Sequence, residues 1–216
     1  MFRFAAAARS ITRQSQSISR PAIRYLPSSS PSPSLSRFAH TSNEPLQSPE
    51  AQAIEEIEEG TRVLNEGDVD KAKDHYKRSL DIHKEGKTAA MGLFNLGVTQ
   101  FYTKDIQGAI STWEQSLDIE PTSDLLSNLA SAHILSSPSN PEKALTYLSQ
   151  ARDLNPEDAE VAFNLAVVSE ATGQLETALD NYQAAKSLGV ERADENVRNV
   201  GAKIIAERAK KEQEKE

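Results

Sequence analysis

The residues that could in principle do chemistry are a Gly-Lys-Thr triplet, four histidines and several pairs of adjacent acids. Gly86-Lys87-Thr88 matches the end of a phosphate-binding loop, but Asp81 stands where that loop needs its first glycine. The flanking residues also follow a helical pattern, whereas the motif requires a preceding strand. The triplet is therefore assigned to a helical region, and no nucleotide site is predicted.

The histidines and the acids do not form a recognisable metal or catalytic site. The four histidines are His40, His75, His83 and His133. No two of them stand one helical turn apart with a carboxylate partner, and His133 falls on a packing face where a buried, satisfied ring is expected. Acid pairs such as Glu55-Glu56 are typical of a solvated helix face. We predict no catalytic residue, no metal site and no cofactor, and hence a protein that is not an enzyme.

Charge divides the 216-residue chain into two parts. Residues 1–43 contain six arginines, no lysine and no acid, while the rest holds 18 basic and 32 acidic side chains, a formal charge of −14. The absence of cysteine excludes a disulfide framework and thiolate sites. An acidic body argues against nucleic acid as a partner, and no apolar run reaches the roughly 18 residues of a membrane span.

The first 43 residues have the composition of a mitochondrial transit peptide, because phenylalanines and isoleucines are spaced among arginines without any acid. Arg37-Phe38-Ala39 resembles a matrix-processing site, which predicts a mature chain beginning near Ala39 and the mitochondrial matrix as its compartment. A disordered Ser/Pro-rich tail is the alternative, and a chloroplast address is a lesser rival. No stop-transfer segment follows the address.

The remainder is an internal repeat of small and bulky residues. Each of four blocks has a small residue, then an alanine 12 or 14 positions later, then a bulky side chain four further on. In order, these triplets are Gly60, Ala72, Tyr76; Gly97, Ala109, Trp113; Ala130, Ala144, Leu148; and Ala166, Ala178, Tyr182. A further small residue follows each bulky one after three positions.

This pattern resembles the tetratricopeptide repeat (TPR) family, whose 34-residue unit is a helix-turn-helix. The resemblance implies an all-α solenoid of four repeats over residues 44–192, with units at about 53–86, 90–123, 123–158 and 159–192. Residues 193–216 would add a C-terminal capping helix and a charged tail, and the N-terminus would be disordered. Small residues would let the two antiparallel helices of a unit approach closely, and the bulky one would fill the space between helices of neighbouring repeats.

The residues that typically begin and end helices occur where these units predict them. Start signals occur at Ser48-Pro49, Asp68, Asp105, Asn140-Pro141 and Asn155-Pro156. Gly67 and Gly173 stand in turns between helices, and Lys104 takes that place in the second unit. One face of the capping helix carries Ala193, Val197, Val200 and Ile204, and the final eight residues are expected to fray.

The resemblance also implies a concave groove lined by the first helix of each unit. Its sixth positions hold Asn95, Asn128 and Asn164 in units two to four, similar to the asparagine ladder by which some TPR arrays hold a peptide backbone. The alternative is that these amides only tie adjacent repeats together. The basic clamp that other TPR proteins use for a C-terminal carboxylate has no counterpart here, because the corresponding positions lack lysine and arginine.

Unit two adds an apolar strip at groove positions, suited to a helix or a hydrophobic segment. The strip consists of Met91, Phe94, Val98, Phe101 and Tyr102. The alternative, slightly favoured, is that Phe94 and Phe101 pack against the second helix of unit one.

The predicted function is a non-enzymatic protein-binding adaptor or scaffold in mitochondria, serving the assembly or quality control of an organellar complex. Its partners are expected to be proteins, either basic or still unassembled, because the body is acidic. The alternatives are a structural subunit of a larger mitochondrial assembly and an organellar helical-repeat RNA-binding protein, which the charge of −14 opposes. The partner's identity and the oligomeric state do not follow from the sequence.

Overall fold

The computed structural model describes residues 48–215. The predicted transit peptide, its cleavage site near Ala39 and His40 lie outside the described residues and stay predictions.

Within the described range the chain is all-α, with nine helices and no strand. They are α1 (Pro49–Asn65), α2 (Val69–Ile82), α3 (Gly86–Tyr102), α4 (Ile106–Ile119), α5 (Ser123–Leu135), α6 (Pro141–Leu154), α7 (Ala159–Ala171), α8 (Leu175–Ser187) and α9 (Ala193–Gln213). Each of the four predicted units contributes two helices, and α9 follows them. The all-α prediction is therefore confirmed.

Four of the five predicted helix starts carry a side-chain cap. Ser48 accepts a hydrogen bond from the amide of the third residue after it, and Asp68, Asp105 and Asn140 do the same at the starts of α2, α4 and α6. Each bond satisfies an amide that the first turn of a helix leaves without an internal acceptor.

The fifth predicted start, Asn155-Pro156, is wrong. Asn155 ends α6 as its C-cap, and α7 begins three residues after Pro156. Asp158 is the N-cap, and its carboxylate accepts hydrogen bonds from the amides of Glu160 and Val161 at 2.9 and 3.1 Å. Asn155 is held at the end of α6, where its backbone N–H donates to the carbonyl oxygen of Ala151, so Asp158 is the capping residue available to α7.

The turns inside three hairpins depend on a left-handed residue. Gly67 and Gly173 have φ values of +93° and +82°, a region that glycine enters without steric cost. Lys104 occupies the corresponding place with φ of +68° although it carries a side chain. Gly86 begins α3 with φ of +61°.

The small residues of the repeat allow the bulky side chains to lie directly on the facing helix. A methyl group added at Gly60 would stand 2.8 Å from Cε1 of Tyr76, and one at Gly97 would stand 2.5 Å from Cδ1 of Trp113. Both aromatic rings are fully buried. Trp113 also donates from Nε1 to the carbonyl oxygen of Phe94 at 2.9 Å, which satisfies its one polar group.

The helices group into two compact units, which in the described range are residues 48–120 and 121–215. In the first unit α1 packs on α2 and α3, α2 on α3, and α3 on α4. In the second unit each helix from α5 to α9 packs on the next. Each unit thus has helix-on-helix packing and buried side chains of its own.

The capping helix α9 packs on α8 as predicted. Ala193, Val200 and Ile204 are buried in the same apolar cluster as Tyr182, and Val197 packs partly buried against it. The prediction of a frayed tail is wrong up to Gln213, because α9 continues that far with exposed side chains. Its alanines, lysines and glutamates have high helix propensity, which explains the extension.

Candidate functional site

The apolar strip of α3 is mostly buried within the first unit. Val98 is 1% exposed, and Phe94 and Phe101 are also buried. Met91 packs partly buried against the cluster that joins α1, α2 and α3. Only Tyr102 among the five predicted strip residues is classed as exposed. The strip as a binding surface stays a prediction, and burial favours its alternative role in packing.

The ring contact of Phe101 is made inside its own hairpin rather than with the second helix of unit one. Its centroid lies 5.7 Å from that of Trp113 in α4, with the planes inclined by 37°. Such tilted pairs are favourable beyond the area they bury. The Trp113 side chain therefore holds α3 by both a ring contact and the hydrogen bond to Phe94.

Asn95, the first predicted ladder residue, uses its amide within its own helix. Its side chain is 5% exposed, and Nδ2 donates to the carbonyl oxygen of Met91 at 3.0 Å, one turn earlier. This bond occupies a donor that a peptide ligand would need. Asn95 thus differs from the other two ladder residues in using one of its two amide N–H groups for a bond within its own helix.

Asn128 and Asn164 lie on α5 and α7 of the second unit, at corresponding positions two residues before Ala130 and Ala166. Both side chains are buried. Neither Nδ2 of Asn128 nor Oδ1 of Asn164 has a hydrogen-bond partner among the described residues. An unsatisfied buried polar atom costs about 1–3 kcal/mol, so this unit holds one buried donor and one buried acceptor without a partner among the described residues.

Asn199 is a further member of this series that the sequence analysis missed. It stands two residues before Gly201 on α9, just as the other asparagines stand two residues before a small residue. The available signal was the tripeptide Asn-Leu/Val-Gly/Ala, which occurs at residues 95–97, 128–130, 164–166 and 199–201. Asn199 is exposed, and it gives the second unit three asparagines in register.

The guanidinium of Arg192, the residue just before α9, is held against α7, the helix of Asn164. Cζ of Arg192 lies 4.2 Å from the ring centroid of Phe163, and its Nη2 donates to Oε2 of Glu160, one turn before Asn164. A guanidinium over an aromatic face is attracted by the ring quadrupole. The carboxylate and the ring together hold Arg192 in place, with nearly half of its side chain still exposed.

A buried acid links three helices of the second unit. Tyr182 on α8 donates its hydroxyl to Oε2 of Glu170 on α7 at 2.9 Å, and Lys203 on α9 donates to the other oxygen. Burial, and then the adjacent carboxylate, raise the pKa of Tyr182 well above its usual range. The hydroxyl is therefore a permanent donor that fixes packing rather than an acid or base for catalysis.

The Gly-Lys-Thr triplet has structural contacts in place of a phosphate-binding geometry. It opens α3 directly after α2, so no strand precedes it. Thr88 donates to Oε1 of Glu50 at 3.2 Å, and Nζ of Lys87 lies 3.4 Å from Oε1 of Glu120.

His133 is buried, as expected, and stacks on Tyr147 with 5.6 Å between centroids. Over the described part of the chain no cluster of three metal-ligating side chains occurs. Nor does any helix there have the length and apolar character that crossing a bilayer requires.

This arrangement of helix pairs is similar to tetratricopeptide repeats of known proteins. Residues 129–195 match the family model for the tetratricopeptide repeat, a stretch that includes Asn164 and ends within α9. The "Protein CTR9 homolog" of Arabidopsis thaliana is 28% identical over 146 residues, which cover 64% of this chain. The match spans 13% of the length of that plant protein.

Solved structures show the same fold. YrrB, described as "a TPR protein with an unusual peptide-binding site", superposes with a TM-score of 0.60 at 23% identity, covering 69% of this chain and 76% of YrrB. MamA from Desulfovibrio magneticus RS-1 gives a TM-score of 0.61 at 19% identity over 74% of this chain and 90% of MamA. The predicted fold class, all-α of the tetratricopeptide type, is confirmed.

Proposed function

We propose that this protein is a non-enzymatic binding module that holds an extended peptide segment of a partner protein on its second unit. The tetratricopeptide fold is typical of interaction scaffolds and implies protein partners. The observation that carries the proposal is the pair of buried amide atoms on Asn128 and Asn164 that have no hydrogen-bond partner among the described residues.

The proposed ligand is recognised mainly through its backbone. A peptide group presents one N–H and one C=O, which match the acceptor of Asn164 and the donor of Asn128. Asn199, exposed on α9, supplies a third amide in the same series. These contacts involve only the peptide backbone of the ligand and do not distinguish its side chains. Selectivity therefore comes from charge, and the acidic chain favours basic segments.

The proposed setting is the mitochondrial matrix, on the strength of the acid-free, arginine-bearing first 43 residues. Basic or unassembled subunits passing through that compartment are the proposed partners. The role would be to hold such segments during assembly of an organellar complex.

The test is binding of fluorescent peptides of about 12 residues, basic, neutral and acidic, to the full chain by anisotropy. We expect basic peptides to bind and Asn128→Ala combined with Asn164→Ala to weaken binding at least about tenfold, or 1.4 kcal/mol. Asn95→Ala is the matched control, because its amide is engaged within α3. Equal losses for the control and the double variant would refute the assignment.

Stability of the double variant is measured alongside. Replacing each asparagine with alanine removes a buried polar atom that has no partner, which offsets the lost packing. We expect the free energy of unfolding to change by less than about 1 kcal/mol, so that lost binding cannot be ascribed to unfolding.

A further inference from the structure

Helix α9 carries a pair of residues of a kind that the first three hairpins use for internal packing. In each of the first three hairpins, a small residue on the first helix is followed four positions later by an apolar one. These pairs are Gly60 and Leu64, Gly97 and Phe101, and Ala130 and Ile134. The same spacing recurs on α9 at Gly201 and Ile205.

In those hairpins the pair receives the bulky residue of the second helix. Leu64 shares a buried cluster with Tyr76, and the Tyr76 ring crosses the place where a Gly60 side chain would be. Phe101 contacts Trp113 in the same way, over Gly97. The small residue provides the close approach, and the apolar residue packs beside the ring.

The corresponding positions on α9 are open. A methyl group built at Gly201 meets no heavy atom within 4 Å, and Ile205 is 70% exposed, more than any other large apolar side chain of the described residues. They line a groove of about 470 Å³ between α8 and α9. Leu179 and Ile204 complete its apolar wall.

Charge marks the rim of the groove. Glu176 and Asp180 stand along its α8 side, and Arg208 stands on the α9 side. The guanidinium of Arg208 lies 3.5 Å from Glu176. A helix bound in this groove would lie beside the carboxylate of Asp180, which favours lysine or arginine on that side of the bound helix.

We propose that this groove binds an amphipathic helix of a partner protein that places a tyrosine or tryptophan on Gly201, against Ile205. The helix would carry a small residue four positions before the aromatic one and another three positions after it, as α2 does with Ala72, Tyr76 and Ser79. It would also carry basic residues beside the aromatic one. This site is separate from the asparagine series and does not depend on it.

A second copy of the chain is the poorer occupant on electrostatic grounds. An antiparallel pairing that sets Ile205 on Gly201 of a second copy would also set Arg198 opposite Arg208 and Asp194 opposite Glu212. Like charges directly opposite each other are destabilising. A partner helix with its own charge pattern avoids both conflicts.

The test uses the chain's own α2 as a surrogate ligand. A fluorescein-labelled peptide of residues 69–82 contains the required pattern and basic residues next to Tyr76. We expect saturable binding to the full chain by anisotropy. Gly201→Leu should weaken it at least about tenfold, and Ala202→Leu, which places the same side chain at the exposed neighbouring position, should leave it within about twofold.

Short helices are marginal in water, so a tethered format accompanies the peptide. The same segment is fused after Glu216 through a flexible linker, which raises its effective concentration to the millimolar range. We expect a Tm about 3 °C or more above that of the fusion carrying Tyr76→Ala in the appended copy. Gly201→Leu should abolish the difference.

The outcomes separate the alternatives. Equal effects of Gly201→Leu and Ala202→Leu, or no Tm difference between the two fusions, would overturn the proposal. Binding unaffected by Gly201→Leu would also overturn it, because the peptide would then bind outside the groove. A concentration-dependent dimer lost in Gly201→Leu would assign the groove to a second copy instead. The Asn128 and Asn164 double variant should bind this peptide normally, so failure here leaves the proposed function untouched.

Discussion

Gly97 and Gly201 hold the same place in their helices and meet opposite surroundings. At Gly97 the Trp113 indole occupies the space of a side chain, while at Gly201 that space is open. Packing inside the chain therefore requires the glycine at position 97, whereas at position 201 it lowers helix propensity without any internal packing gain.

Alanine substitution should separate these two roles. Gly97→Ala forces the buried indole to shift, and overpacking of this kind costs about 1–3 kcal/mol. Gly201→Ala should instead stabilise the chain by up to about 1 kcal/mol, the helix-propensity difference. Urea denaturation of both variants measures the two changes. A Gly97→Ala protein as stable as the wild type would contradict the close packing.

The turn at Lys104 offers a second residue-scale prediction. Its left-handed backbone costs a side-chain-bearing residue about 1–2 kcal/mol, part of which glycine recovers. We expect Lys104→Gly to raise the free energy of unfolding by about 0.5–1 kcal/mol. The gain is smaller than the full cost of the left-handed backbone because glycine also increases the entropy of the unfolded chain. Gly173→Ala is the reciprocal change and should lower it by about 1 kcal/mol. Thermal unfolding of the two variants measures both changes. A Lys104→Gly protein less stable than the wild type would contradict backbone strain at Lys104.

The asparagines show how far residue-level reasoning reaches. Their recurrence identified Asn95, Asn128 and Asn164, because spacing between repeats is visible in the sequence. It could not show that the Asn95 amide bonds to Met91 while the other two keep an unsatisfied atom, since those bonds depend on how each side chain turns. Asn199 was not predicted because it lies beyond the fourth unit, on the capping helix.

At the scale of the helices, the features most readily predicted from the sequence were helix starts, because capping residues mark them. Ser48, Asp68, Asp105 and Asn140 form local contacts within one turn, so sequence alone located those starts. The capping residue of α7 was misidentified because two candidates, Asn155 and Asp158, stand three apart. Which of them caps depends on where α6 ends, and that is decided by packing.

One polar cluster joins α1 to α2. Oε2 of Glu56 lies 2.7 Å from Nδ1 of His75 and accepts from Nε of Arg78 at 3.0 Å. Partial burial opposes ionisation, but the hydrogen bonds of His75 and Arg78 outweigh it and lower the pKa of Glu56 below its ordinary value of 4.5. The stability that this carboxylate contributes is therefore complete above the ordinary pKa and is lost as the pH falls through the lowered one.

The acid limb of the stability profile should depend on this cluster. We expect Glu56→Gln to lower the free energy of unfolding at pH 7 by up to about 1 kcal/mol, a difference that shrinks between about pH 5 and pH 3. Glu58→Gln, on the same helix and exposed, is the control. A Glu56→Gln deficit that stayed constant down to pH 3 would exclude the linkage.

At the scale of the whole molecule, charge separates an arginine-bearing N-terminal segment from an acidic remainder. Residues 1–43 carry +6 of a chain whose formal net charge is −8, so their removal would leave −14. We expect these residues, fused to a reporter, to direct it into isolated mitochondria in a potential-dependent way. N-terminal sequencing of the imported product should begin near Ala39. A reporter that stays outside the mitochondria would refute the transit-peptide prediction. Import that persists after the six arginines are replaced with glutamine would refute it as well.

Trp113 is the single tryptophan of the chain, and it lies fully buried in the unit of residues 48–120. Its fluorescence therefore reports on that unit alone, whereas far-ultraviolet circular dichroism sums the helices of both. Coincident denaturation curves from the two signals would mean that the units unfold as one cooperative block. Separate midpoints would instead give the stability of each unit, without a label or a further substitution.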